Sequence, residues 1–186
     1  MDKYKKFASD RKDDIVSLLS ELVAIPSVMG EAKPGYPFGE APAKALVAML
    51  DAAKALGFAV NNVDNCYGTA DYLPDGTDTA ELAILCHLDV VPEGKGWSYK
   101  PFVCTEKDGI LYGRGVTDDK GPAVSALYAL YSVKQLGVKL SKGVRLIFGT
   151  NEENGSADIE HYLEKDKMPP MVFTPCLLYT SDAADE

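Results

Sequence analysis

Apolar positions Ile15, Leu18, Leu19, Leu22 and Val23 recur at helical spacing, which predicts an amphipathic helix over about residues 4–24, stopped before Pro26. A loop rich in proline and glycine follows, after which Ala43, Leu46, Val47 and Leu50 mark a second helix ending at Gly57. Short β-like runs occupy 58–63 and 67–73. "ELAILCHL" is then continuously apolar between polar neighbours, as expected of a strand buried on both faces. "GVRLIFG" at 143–149 repeats that pattern, and "MVFTP" at 171–175 predicts a third such strand. Between them lie a helix over about 120–136, with Pro122 in its first turn and Gly137 past its end, and a shorter helix over about 156–165.

Strand, helix, strand, helix, strand is the order of an α/β fold: a mostly parallel mixed sheet with helices on both faces, an αβα sandwich. Residues 1–175 are expected to form one domain. Ligands of such sheets bind beyond the carboxyl ends of the strands. His87 and Asp89 end one strand and Glu152 and Glu153 follow another, so the two pairs should meet.

Composition narrows the chemistry. At 186 residues, with 46% hydrophobic and 25% charged residues, the chain is long enough for a sizeable core. A net charge of −9 with no basic cluster argues against nucleic acid and leaves small molecules or cations as partners. The four cysteines show no CxxC pair, so neither a disulfide framework nor a zinc knuckle is expected. The first residues lack the apolar stretch of a signal peptide, and no apolar run reaches the roughly 18 residues needed to cross a bilayer, so a cytoplasmic location is expected.

Three clusters carry ionisable groups. In His87-Leu88-Asp89 the two polar residues share a strand face, so the carboxylate can orient the imidazole of a metal-binding histidine; taken alone, a buried histidine satisfied by an aspartate is the plainer reading. In "GRGVTDDKGP", 113–122, Asp118 and Asp119 open a helix, where one aspartate is explained as a cap but two are explained less well. In "GTNEENGS", 149–156, Glu152 and Glu153 repel each other unless a cation or solvent relieves them, and a solvated acidic turn is the plainer alternative. All three clusters are expected on one rim. Histidine with carboxylates and without thiolates suits zinc, or a harder ion such as manganese.

"HLDVVPEGKGW", "YGRGVTDDKGP" and "GTNEENGS", in this order and spacing, resemble the metallopeptidase family of acetylornithine deacetylase, succinyl-diaminopimelate desuccinylase, aminoacylase, carnosinase and carboxypeptidase G. "PFGEAPAKAL" and the loop "VPEGKGWSYKPF" are most similar to bacterial dinuclear dipeptidases of the PepV type. The resemblance implies two divalent ions, zinc first, with manganese or cobalt as alternatives. It implies that His87 binds one ion, Asp118 bridges both across a cis Asp118–Asp119 peptide, and Glu153 binds the second. It further implies Asp89 behind His87, Glu152 as general base, and a short peptide as substrate. An N-acyl amino acid deacylase or desuccinylase, or a metal-free scaffold, are the alternatives.

The family pattern also requires an acidic ligand directly after "FTP" and a histidine far downstream. Cys176 stands at the first position, and residues 176–186 resemble the read-through of a library adapter rather than native sequence. The chain is therefore expected to be a truncated and inactive piece of the catalytic domain. His161 and Trp97 are expected to pack, and Cys86 to face away from His87.

Overall fold

The computed structural model describes residues 2–175. Helices α1 (Asp2–Asp10), α2 (Lys12–Val23) and α3 (Glu40–Ala55) precede strands β1 (Ala59–Val63), β2 (Tyr67–Tyr72) and β3 (Ala80–His87). A hairpin of β4 (Thr105–Lys107) and β5 (Ile110–Tyr112) leads to α4 (Lys120–Gln135) and β6 (Gly143–Gly149). A 3-10 turn (Glu152–Asn154), α5 (Ala157–Lys165) and β7 (Met171–Phe173) complete it.

The single helix expected over 4–24 is two. The chain leaves helical geometry at Arg11 (φ −115°, ψ 13°), and Phe7 of α1 lies edge-on against Tyr131 of α4. No residue of α1 is buried, so it rests on the molecule through lateral packing of this kind. The β4–β5 hairpin was not among the expected elements. Its turn is Asp108-Gly109 with φ of 54° and 78°, the left-handed pair that a two-residue hairpin loop requires.

The main sheet has the order β1-β2-β6-β3-β7. β6, β3 and β7 are parallel, while β2 runs antiparallel to both β1 and β6, so the sheet is the mostly parallel mixed one expected, with β2 its one reversed strand. From β3 the chain crosses through α4 to β6, then returns through α5 past β3 to β7. Crossovers of one hand that move in opposite directions must lie on opposite faces. Accordingly, Leu22, Leu46, Leu127, Leu146 and Phe148 bury one face against α2, α3 and α4. Tyr162 of α5 covers Tyr67, Ala83 and Ile147 on the other.

Register places the site. β3 and β6 pair with His87 opposite Gly149, and the amide of Leu88 extends the ladder by donating to the Gly149 carbonyl at 2.9 Å. The two strands therefore end level. The segments carrying His87-Leu88-Asp89 and Thr150-Asn151-Glu152-Glu153 leave the sheet side by side.

Candidate metal centre

His87 alternates with Cys86 along β3, so the thiol enters the apolar core while the imidazole turns to the α5 face. The imidazole Nε2 lies 3.0 Å from Asp118 Oδ1 and 3.7 Å from Glu152 Oε2. Donor atoms of His87, Asp118 and Glu153 all fall within 4.8 Å of one another. These three were the ligands expected from the sequence, and they come from three separate segments. One imidazole nitrogen and two carboxylate oxygens form a donor set that fits a zinc or manganese ion, whose bonds to nitrogen and oxygen are about 2.0–2.2 Å. The Asp118–Asp119 peptide is cis.

Asp89 was expected to accept a hydrogen bond from the imidazole. Its main-chain carbonyl sits 3.1 Å from His87 Nδ1, and its carboxylate Oδ1 lies farther, at 3.4 Å. The carboxylate also engages the other motif: Oδ1 accepts the Glu152 amide and Oδ2 the Glu153 amide, each at 3.1 Å. Asp89 thus ties the two strand ends together.

Asp119 was singled out in the sequence without a role of its own, and Lys120 and Asp158 were not singled out. Asp119 Oδ2 accepts the main-chain amide of His87 at 3.0 Å, fixing the strand end that carries the imidazole. Lys120 is fully buried and donates through Nζ to the carbonyls of Leu22 and Ile25, both at 2.8 Å, at the end of α2. Asp158 accepts the amides of Thr150 at 2.6 Å and Asn151 at 2.8 Å. The doubled "DD" followed by a lysine signalled the first two. Nothing in "SADIE" distinguishes Asp158 from a helix-start acid.

The electrostatics follow from this crowding of carboxylates. Burial works against a charged imidazole, but the hydrogen-bonded Asp89 with Asp119 and Glu152 outweighs it, and the pKa of His87 is raised to about 10. Burial pushes the Asp119 carboxyl up to about 6, with His87 pulling the other way. Burial also raises Glu153, reinforced by Asp118, and brings Lys120 down to about 7 against the pull of Asp89. A rim in which acids rise and a histidine holds its proton has an excess of negative charge. A cation would relieve it. A cavity of about 280 Å³, lined by His87, Asp119, Glu152, Asp158 and Thr174, opens beside these groups.

The remaining expectations concern packing. His161 lies edge-on to Tyr67 and within 3.0 Å of Asp64, away from the centre. Trp97 anchors its own loop by donating to the Glu93 carbonyl, with the Arg114 guanidinium over its ring. Cys176 and the tail expectation lie outside the described residues. No helix among the described residues is long and apolar enough to cross a membrane.

Residues 83–180 match the family described as Peptidase family M20/M25/M40. The chain is 41% identical over 167 residues to YtjP of Bacillus subtilis (strain 168), a provisionally named dipeptidase, covering 89% of this chain and 35% of that protein. It is 38% identical over 175 residues to the Beta-Ala-Xaa dipeptidase of Lactobacillus delbrueckii subsp. lactis, covering 92% of this chain and 37% of that protein. The solved structure of human carnosine dipeptidase 1 superposes with a TM-score of 0.74 at 29% identity, covering 88% of this chain and 37% of that one. The chain thus spans little more than a third of the length of the relatives it matches.

Proposed function

The chain belongs to peptidase family M20/M25/M40, and from that premise we propose that it carries part of the ion-binding site of a metal-dependent dipeptidase. The convergence of His87, Asp118 and Glu153 within 4.8 Å is the observation that supports this reading. His87 and Glu153 would each hold one of two divalent ions and Asp118 would lie between them, with zinc favoured and manganese or cobalt next by donor type. Divalent ions held there acidify a bound water and polarise a scissile carbonyl.

Glu152 is the group proposed to move protons. Its carboxylate stands 3.7 Å from His87 Nε2, on the rim where an attacking water would lie. It accepts a proton as the new C–O bond forms and delivers it to the leaving nitrogen as the C–N bond breaks. Asp89 holds Glu152 by its amide, so the base is aimed through the main chain rather than by its own side chain. Short peptides are the proposed substrates, in line with the names of the relatives.

Residues 1–175 are proposed as the N-terminal part of the catalytic domain, with 176–186 a non-native tail. The three ligands present fall short of the five that the family resemblance implies. Turnover is therefore assigned to a protein of the relatives' length, and ion binding without turnover to this chain. Equilibrium dialysis against zinc, manganese and cobalt should leave ion bound to the chain, and His87→Ala should abolish that binding; no uptake of any of the three overturns the reading. The longer protein should hydrolyse dipeptides and lose this with Glu152→Gln. Turnover of N-acyl amino acids alone would move the assignment to a deacylase or desuccinylase, and neither ion nor turnover would leave a scaffold.

A further inference from the structure

Thr150, Asn151, Glu152 and Glu153 are consecutive, and the main-chain amide of every one is held by a carboxylate oxygen. Asp158 Oδ2 accepts Thr150 and Asn151 at 2.6 and 2.8 Å, and Asp89 Oδ1 and Oδ2 accept Glu152 and Glu153 at 3.1 Å each. Both aspartates are fully buried. A carboxylate is costly to bury unless its oxygens are satisfied, and amide donors satisfy it without a cation.

We propose that Asp158 is a positioning residue for the ion site: with Asp89 it fixes the peptide planes from Thr150 to Glu153, and so sets the directions in which the Glu152 and Glu153 side chains leave the chain. The inference rests on the reading of those glutamates as base and ligand. Three further features favour it over an ordinary helix start. Asp158 directs Oδ2 at amides seven and eight residues upstream and only Oδ1 at its neighbour Ile159, at 2.9 Å. Gly149 leaves room for that reach, because a Cβ there would collide with Asp158 Oδ2. Asn151 closes the turn from within: its carbonyl accepts the amides of Asn154 and Ser156 at 3.2 and 3.0 Å, and its side-chain oxygen accepts Ala157 at 3.3 Å. A backbone pinned at each successive amide has little freedom to redirect the carboxylates that follow.

The test compares Asp158→Ala and Asp158→Asn with Lys134→Met, a variant that removes a remote lysine capping the carbonyls of Leu56 and Gly57. Cobalt is titrated into each chain by visible absorption, and amide exchange over 150–153 is followed without metal. Asp158→Ala should speed exchange at 150–153 and weaken cobalt binding by about 10–100-fold, the usual cost of losing support behind a ligand. Asp158→Asn should recover most of both, since one amide oxygen still reaches Thr150 and Asn151. Lys134→Met should change neither, even where it lowers stability. If Asp158→Ala does not fold, Gly149→Ala takes its place, with the same loss expected from pushing the carboxylate aside. Unchanged exchange or cobalt affinity on losing Asp158, or an equal loss in Lys134→Met, overturns the role. A wild-type chain that takes up neither cobalt nor, by dialysis, zinc or manganese overturns the ion-binding reading and the role with it.

Discussion

Asp118 and Asp119 are neighbours in sequence with opposite surroundings. Asp118 is partly exposed and faces His87 Nε2, whereas Asp119 is buried and holds the His87 amide from behind. The residue types that gather at the centre were legible because three clusters, each with an ordinary explanation alone, fall in one order and spacing that resembles a known family. Their division of labour was not. Which oxygen of Asp89 meets Glu152, and which acid of a pair turns inward, depends on the β3–β6 register and on how α4 is seated, and neither is a local property. Lys120 illustrates the same limit: nothing nearby in the chain reveals that its ammonium ends between the carbonyls of Leu22 and Ile25. Lys120→Met removes two charge-assisted hydrogen bonds from the interior and leaves the Leu22 and Ile25 carbonyls with only the amides of Ile25 and Ser27. It should destabilise the chain by about 2–4 kcal/mol, read as a lower urea midpoint at unchanged slope. A loss under about 0.5 kcal/mol would show that water replaces the ammonium there.

The long apolar strands and the helices between them could be read directly, since period and punctuation are strong for β3, β6 and α4. The weaker elements were misread for identifiable reasons. Arg11 carries no breaker signal, and the division between α1 and α2 reflects where Phe7 finds Tyr131. Asp108-Gly109 is a hairpin signature that went unread, since it joins strands of only three residues each. β2 was seen as a β-like run, yet its place between β1 and β6 came only with the fold. Gly68 explains how α3 sits on that strand, because a Cβ there would press on the methyl groups of Leu46 and Leu50. Leucine ends can shift for one methyl but hardly for a branched side chain. Gly68→Val should therefore cost roughly 1–3 kcal/mol and lower the melting temperature, measured by circular dichroism, while Gly68→Ala costs less. Equal melting temperatures for wild type and Gly68→Val would mean that α3 is not held by this contact.

At the scale of the molecule, the covering of the sheet is uneven. β3 is enclosed by β6 and β7, but β7 pairs only with β3 among the described residues, and Met171, Val172 and Phe173 are 55%, 43% and 49% exposed. Beside it, Ile15, Leu19, Ile84, Val116, Val124 and Phe173 line an apolar groove of about 710 Å³. A short strand that is paired on one side only among the described residues, with exposed apolar side chains, invites further pairing, and an apolar groove adds a driving force for it. The net charge of −9 opposes close approach between copies but is screened at physiological ionic strength, where the Debye length is only about 8 Å. The chain on its own should consequently associate as concentration rises, and more strongly in salt, as followed by sedimentation velocity. Phe173→Lys places a charge on the open edge and in the groove at once, and should return the chain toward monomer at the same concentration. Should wild type sediment as a monomer throughout the concentration series, or Phe173→Lys associate as readily as wild type, the open edge and groove are not the surfaces through which copies meet.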